Sequence, residues 1–193
     1  MSLDFVLLGL LRKPMSGYEL KAEFSAGVAN FWAAELSQIY VTLKRMTHEG
    51  LLSVSRAPSD KGPDKQVYAR TRAGDRALRE WLTGEPQMGD ERLAYLGQLY
   101  FLGELEDWQA TEVFLSKLLE RFRARHAALR QIEQAWSKAA PGYPNDLPPD
   151  DSHAQMTLQL GLETAAARVA WCGAMLARVQ ARRQRRSKRA RRL

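Results

Sequence analysis

The sequence predicts a mainly α fold in two parts: an N-terminal unit of short helices closed by a small β-hairpin, and a C-terminal unit of long helices. Three observations predict it. Leu36, Ile39, Leu43 and Met46 recur at spacings of three and four, the period of a helix buried on one face. Beyond Gly50 the pattern shifts to a period near two, around the turn chemistry of residues 58–65, PSDKGPDK. Helical periodicity then returns in longer stretches from about residue 90, interrupted by the Pro/Gly-rich segment 140–149.

The run Asp4 to Leu11, DFVLLGLL, reads as a first helix that seals the back of the N-terminal unit. It is too short to span a membrane and lacks the basic start and cleavage site of a signal peptide. Ser16-Gly17-Tyr18-Glu19-Leu20 opens a second helix, with Ser16 as N-cap and Glu19 three residues on, a capping box. The backbone N–H groups at such a start suit a phosphate. Phe24, Val28, Phe31 and Trp32 supply bulk between the second and third helices. The third helix is expected to take Ser37 as N-cap and Gly50 as its C′ residue. Its outer side carries Ser37, Gln38, Val41, Lys44, Arg45 and His48. In a major groove, Arg and Lys match guanine O6 and N7, and Gln matches adenine.

An ordinary amphipathic surface helix would show the same pattern, and the hairpin is what separates the two readings. Leu52, Val54 and Val67 are its apolar positions, while Arg56, Lys61, Lys65 and Arg70 make it cationic against Asp60 and Asp64. A basic hairpin beside such a helix can follow the phosphate backbone, adding affinity and register but little sequence information. A further helix follows from Thr71-Arg72-Ala73-Gly74 to Trp81-Leu82. Helix, hairpin and helix in that order are the sequence form of a winged helix-turn-helix, and double-stranded DNA is the expected partner.

The chain resembles the PadR-like transcriptional regulators. The matching pieces are the apolar first helix through Gly9, Ser16 to Leu20, Gln38 to Met46, Glu49-Gly50-Leu51-Leu52, and Val67 to Gly74 leading to Trp81-Leu82. Residues 155–161, QMTLQLG, followed by Trp171, are similar to the helical C-terminal domain of the virulence-activator branch. The resemblance covers nearly the whole chain except its extreme C-terminus. Many members have a small residue where Gln38 stands and Leu where Met46 stands. It implies homodimers held by C-terminal helices and makes Tyr40 a DNA contact. The expected DNA-facing set is Tyr18, Ser37, Gln38, Tyr40, Lys44, Arg45, Lys61, Lys65 and Arg70.

Residues 83–89, TGEPQMG, read as a linker between a winged-helix domain, 1–82, and a helical dimerisation domain, 90–181. One helix is expected from about Asp90, a long one capped by Asp107, and a third from Asp151 or Ser152 through Val179. Two long helices with wide apolar faces cannot hide those faces in so small a unit, so a coiled-coil-like dimer follows. Two winged helices would then meet half-sites about 34 Å apart. The resemblance also implies small, often aromatic, effectors. Phe101, Trp108, Phe114, Trp136 and Trp171 form the candidate effector pocket, although aromatics at helical spacing also serve as plain packing.

Charge is unevenly placed. Residues 1–82 carry 12 Lys/Arg against 9 Asp/Glu, residues 83–177 carry 8 against 13, and residues 178–193 carry nine cations and no acid. The segment 182–193 is therefore expected to be a mobile basic tail that attracts polyanions. Cys172 has no partner for an intramolecular disulfide, which with the absence of a signal peptide points to the cytoplasm. His48, His126 and His153 fall in different elements, no phosphate loop appears, and Asp146, Asp150, Asp151 and His153 lack a recognised metal spacing. No catalysis, metal or cofactor is expected. The function expected is that of a homodimeric, sequence-specific transcriptional regulator, with repression as the default sense. The competing expectation is a winged-helix assembly module whose tail holds polyanions nonspecifically.

Overall fold

In the computed structural model, which describes residues 3–28, 31–32, 34–58, 65–89 and 91–190 (186–190 by backbone alone), the chain divides into two units, Met1–Met88 and Gly89–Leu193. The first begins with α1, Leu3–Leu10, whose Leu7 and Leu8 are fully buried. A two-residue strand, β1 (Met15–Ser16), leads into α2 (Gly17–Glu23), which ends in a π-helical turn, Phe24–Val28. Helix α3 spans Leu36–His48, the hairpin strands are β2 (Leu52–Ala57) and β3 (Lys65–Arg70), and α4 spans Arg72–Thr83. The sheet order is β1-β3-β2, antiparallel throughout.

The period of three and four places Ile39, Leu43 and Met46 in one core with Leu7, Leu8, Leu20, Phe24, Leu52 and Tyr68. Leu36 departs from the expected pattern: it is the first residue of α3 and lies at the rim, exposed. The N-cap is Glu35 rather than Ser37, and the Oε1 of Gln38 accepts from the Glu35 N–H at 2.9 Å. At the other end Gly50 is the left-handed C′ residue, with φ +74°. Leu51 N–H donates to Met46 O at 2.9 Å and Gly50 N–H to Thr47 O at 3.2 Å, the paired bonds of a Schellman stop. That stop turns the chain directly into β2.

In the hairpin Val54 pairs with Tyr68 and Leu52 with Arg70, so these four share one face. Leu52 and Tyr68 are buried, whereas Val54 has run past the edge of the core and is exposed. Val67 pairs with Ser55 and Ser16, on the opposite face from Leu52, so the apolar positions of the hairpin do not form one stripe. β1 was not legible as a strand because two residues carry no period.

Thr71 fastens α4 to the end of α3. Its hydroxyl accepts from Gly74 N–H at 3.1 Å as N-cap and donates to Gly50 O at 2.7 Å, while its own N–H donates to Leu51 O at 3.1 Å. Gly74 lies so close to this turn that a Cβ there would stand 2.3 Å from Leu51 O.

The second unit starts with α5 (Ala94–Phe101), later than the expected Asp90, which lies outside the described residues. A 3₁₀ turn, Leu102–Leu105, follows, and then α6 (Trp108–Ala139), whose N-cap Asp107 accepts from Gln109 N–H at 2.7 Å. Residues 140–148 form the expected break. Helix α7 starts at Pro149 and continues without interruption to Ala190. The segment expected to be a basic tail thus begins inside this helix: residues 182–190 are helical backbone, the last turns of α7. Two core clusters tie α6 to α7, one around Leu115, Leu118, Leu119, Cys172 and Val179, the other around Leu129, Leu158, Leu162 and Ala165.

Candidate functional site

The expected DNA-facing residues separate into three groups. Ser37, Tyr40 and Lys44 follow one another at three and four residues along α3, and all are exposed. Among the described residues, Lys44 has no ion-pair partner, which leaves its ammonium available to a groove or a phosphate. Gln38 lies about one residue's turn away. Its carboxamide borders a surface groove formed with Leu3, Trp32, Val41 and Thr42. Because its Oε1 caps Glu35, pairing both carboxamide atoms with an adenine requires that capping bond to open.

A second group gathers at the start of α2. The capping box is complete: Glu19 N–H donates to Ser16 Oγ at 3.3 Å, and Ser16 N–H donates to Glu19 Oε2 at 2.7 Å. These bonds to the side chain and backbone of Ser16 hold the Glu19 carboxyl below its ordinary range. The box takes the N–H groups of Ser16 and Glu19, so a phosphate at this helix start is left with those of Gly17 and Tyr18. Gly17 is where the Tyr40 ring approaches: a Cβ at residue 17 would meet Tyr40 Cε1 at 2.5 Å and Oη at 2.8 Å. Glycine is needed here for close approach. Tyr18 is 78 % exposed, and Lys65 Nζ stands 3.7 Å from Glu19 Oε1. Burial, and then the neighbouring Tyr40, push the Tyr68 hydroxyl up, and it donates to Gln66 Oε1 at 2.8 Å. α2, α3 and β3 thus bring Tyr18, Tyr40 and Lys65 together.

The third group is engaged elsewhere. Arg45 is held by Asp4 of α1 and by Glu49, 2.8 Å away. In this conformation it ties α3 to α1, and reaching a base requires release of both carboxylates. Arg70 Nε pairs with Asp75 Oδ1 at 3.2 Å, bracing β3 against α4. Lys61, the expected wing-tip contact, lies outside the described residues.

The candidate effector pocket is divided by the fold. Trp108 and Trp171 line one cavity of about 550 Å³ between α5, α6 and α7. Phe114 packs into the adjoining core, and Phe101 stands exposed with its ring 5.0 Å from Tyr100. Trp136 is in the other core cluster, with its ring 6.2 Å from that of Tyr143. It lies 28 residues beyond Trp108 on α6, about 42 Å at 1.5 Å per residue. Helical spacing alone could not tell residues that share a cavity from residues that share only a helix.

The sequence reading missed the arginines at this cavity. Arg178, Arg182 and Arg185 line it, and the Arg182 guanidinium lies 4.3 Å from the Trp108 ring centroid. Arg183 pairs with Glu112, a contact that holds the Glu112 carboxyl below its ordinary range. The start of the basic segment is therefore packed on α6. The signal was present in the three- and four-residue steps that join Trp171, Met175, Arg178, Arg182 and Arg185. Cys172 is fully buried and its thiol donates to Leu115 O at 3.4 Å. Burial pushes that thiol up, which fits a packing role. Among the described residues, no group of three or more His, Cys, Asp or Glu is placed to hold a metal ion, and no helix is long and apolar enough to cross a membrane.

Comparison with known proteins accounts for both units. Residues 6–80 match the transcriptional regulator PadR-like family, and residues 91–180 match the virulence activator alpha C-terminal domain. The negative transcriptional regulator PadR of Bacillus subtilis is 28 % identical over 180 residues, covering 92 % of this chain and 97 % of that protein. Its crystal structure in complex with operator DNA is similar with a TM-score of 0.74 and 27 % identity, over 92 % of this chain and 98 % of that one. The same protein in complex with p-coumaric acid gives 0.70 and 27 %, with the same coverage. The virulence activator AphA of Vibrio cholerae gives 0.72 and 28 %, over 93 % of this chain and 99 % of that one. The chain belongs to the PadR-like family of transcriptional regulators, with a C-terminal domain of the virulence-activator type.

Proposed function

We propose that this chain is a homodimeric regulator that binds operator DNA through α3 and the wing and responds to a small aromatic effector. The observation that carries the reading is the winged-helix unit itself: an exposed Ser37–Tyr40–Lys44 stripe beside Tyr18 and Lys65. A relative matching 92 % of this chain has been solved on operator DNA with the same fold. In this reading Tyr18, Lys65 and the wing contact phosphates, while Ser37, Gln38 and Lys44 meet base edges. The role is regulatory, not catalytic, and its setting is the cytoplasm.

Dimerisation follows from the second unit. Tyr100 and Phe101 on α5, Leu105 after it, and Met156 and Leu160 on α7 are all at least 60 % exposed. Large side chains left this open on long helices are the material of a two-fold helical interface. The effector reading is supported by the indole-lined cavity and by the relative solved with p-coumaric acid.

An electrophoretic shift on DNA upstream of the chain's own gene tests the reading, with nonspecific competitor and a salt series. Retarded bands that survive competitor, with a steep salt dependence, are expected. Binding lost equally to competitor would leave an assembly module with nonspecific polyanion affinity. Sedimentation at micromolar concentration should show a dimer, and a stable monomer would defeat that part.

A further inference from the structure

We propose that Val41 of α3 is a specificity-determining residue that reads a thymine, through the C5-methyl group that this base carries into the major groove. This rests on the DNA reading above and adds to it one base and the side chain that selects it. Val41 is 69 % exposed, whereas Ile39, Leu43 and Met46 of the same helix are 2 % exposed or less. It stands two residues from each of Ile39 and Leu43, about 200° of turn from both, which puts it at the crest opposite the buried face. Its neighbours on that crest are polar and exposed: Ser37 and Gln38 one turn before it, Lys44 and Arg45 one turn after. One flank of Val41 borders the groove formed with Leu3, Trp32 and Thr42.

A lone exposed valine is ordinary on a protein surface, but this one sits in the middle of a helix face equipped for a groove. It takes no part in the core cluster of the first unit, and a β-branched side chain is not one that a solvated helix face favours. Base edges in the major groove present hydrogen-bond donors and acceptors, and the thymine methyl is the apolar group among them. Pressed on a G·C pair, the valine would cover the guanine acceptors or the cytosine amino group and return no bond. Pressed on a thymine, it takes two apolar groups out of water together. Ser37 and Lys44, a turn to either side, can hydrogen-bond to flanking bases or phosphates while it does so.

Operator DNA in which deoxyuridine replaces thymidine tests this, because it loses the C5-methyl and keeps every hydrogen-bonding group. The probe is the fragment upstream of the chain's own gene that the full-length protein retards, with its thymines replaced one at a time. One thymine in each half-site should account for the effect, and each methyl lost there should weaken binding about fourfold. Val41→Ser should bind the unmodified operator more weakly and respond to uracil at that place less than about twofold. Val41→Thr keeps a methyl group and should keep the response. Both variants should melt and sediment like the unaltered protein, since the side chain is exposed. Indifference of the unaltered protein to every replacement overturns the proposal. So does a Val41→Ser variant that responds as strongly as the unaltered protein, since another residue then reads the methyl. A changed oligomeric state in either variant overturns it too, because the crest of α3 would then meet protein rather than a base. Competitor-resistant binding with no response to the methyl removes this proposal alone. Absence of competitor-resistant binding by the unaltered protein removes the DNA reading and this proposal with it.

Discussion

Gln38 has two duties that one substitution can separate. Its Oε1 accepts from the Glu35 N–H at the start of α3, and its position on the outer side of the helix offers it to a base. Gln38→Ala should cost about 1 kcal/mol or less of stability for the lost capping bond. It should also change preference at particular base pairs by about 1–3 kcal/mol. Gln38→Glu keeps an acceptor at the capping position, so urea denaturation should return close to the original midpoint while base preference stays altered. Unchanged operator preference in both variants would take Gln38 out of the reading set. Glu19 carries the pH dependence at this scale. Its folded carboxyl is held low by its bonds to Ser16, so folding is favoured above the ordinary carboxylate pKa. That contribution fades as pH falls through the ordinary value toward the folded one. Glu19→Gln should therefore lower the melting temperature near neutrality and narrow its gap to the unaltered protein in acid. A gap that stays constant from neutral to acid pH would show that the box does not titrate in this way.

Elements were legible where a period or a cap was written locally. Ser16 and Glu19 announced α2, Gly50 announced the stop of α3, and the three-and-four spacing of Ile39, Leu43 and Met46 announced its buried face. Features that depend on distant parts of the chain were not legible. The capture of Arg45 by Asp4 spans 41 residues, and nothing near Arg45 signals it. The separation of Trp136 from Trp108 depends on α6 running straight on past the cavity. The Thr71 clamp is a further case, since it joins α4 to a turn some twenty residues upstream. Gly74 belongs to that clamp, and its missing Cβ lets α4 press against Leu51 O. Backbone cannot yield as a flexible side chain can, so Gly74→Ala should destabilise the protein by about 1–3 kcal/mol, although alanine is the better helix former. Chemical denaturation measures this directly. A neutral or stabilising result would mean that α4 shifts freely against the turn.

For the whole molecule, the basic end of the chain has to be divided in two. Composition alone treats residues 182–193 as one block of charge, too dense in cations to pack. The fold contradicts that for its first residues: α7 continues through them, Arg182 stacks on Trp108, and Arg183 pairs with Glu112, with its NH2 group 3.2 Å from Gln109 Oε1. These contacts fasten the end of α7 to the start of α6. Two truncations should therefore behave differently. Removal of residues 186–193 takes away five cations and none of these contacts, so thermal stability should be nearly unchanged. Removal of residues 182–193 also releases the Trp108 and Glu112 partners, and the melting temperature should fall, since a cation–π contact alone contributes about 0.5–1 kcal/mol at an exposed site. Both truncations should weaken binding to random DNA at low salt more than they weaken discrimination between operator and random DNA. Nonspecific affinity follows the number of phosphates neutralised, while discrimination resides in α3. Equal melting temperatures for the two truncated proteins would mean that the Arg182 and Arg183 contacts add nothing to the fold, and full nonspecific affinity after either deletion would mean that the basic end does not reach DNA.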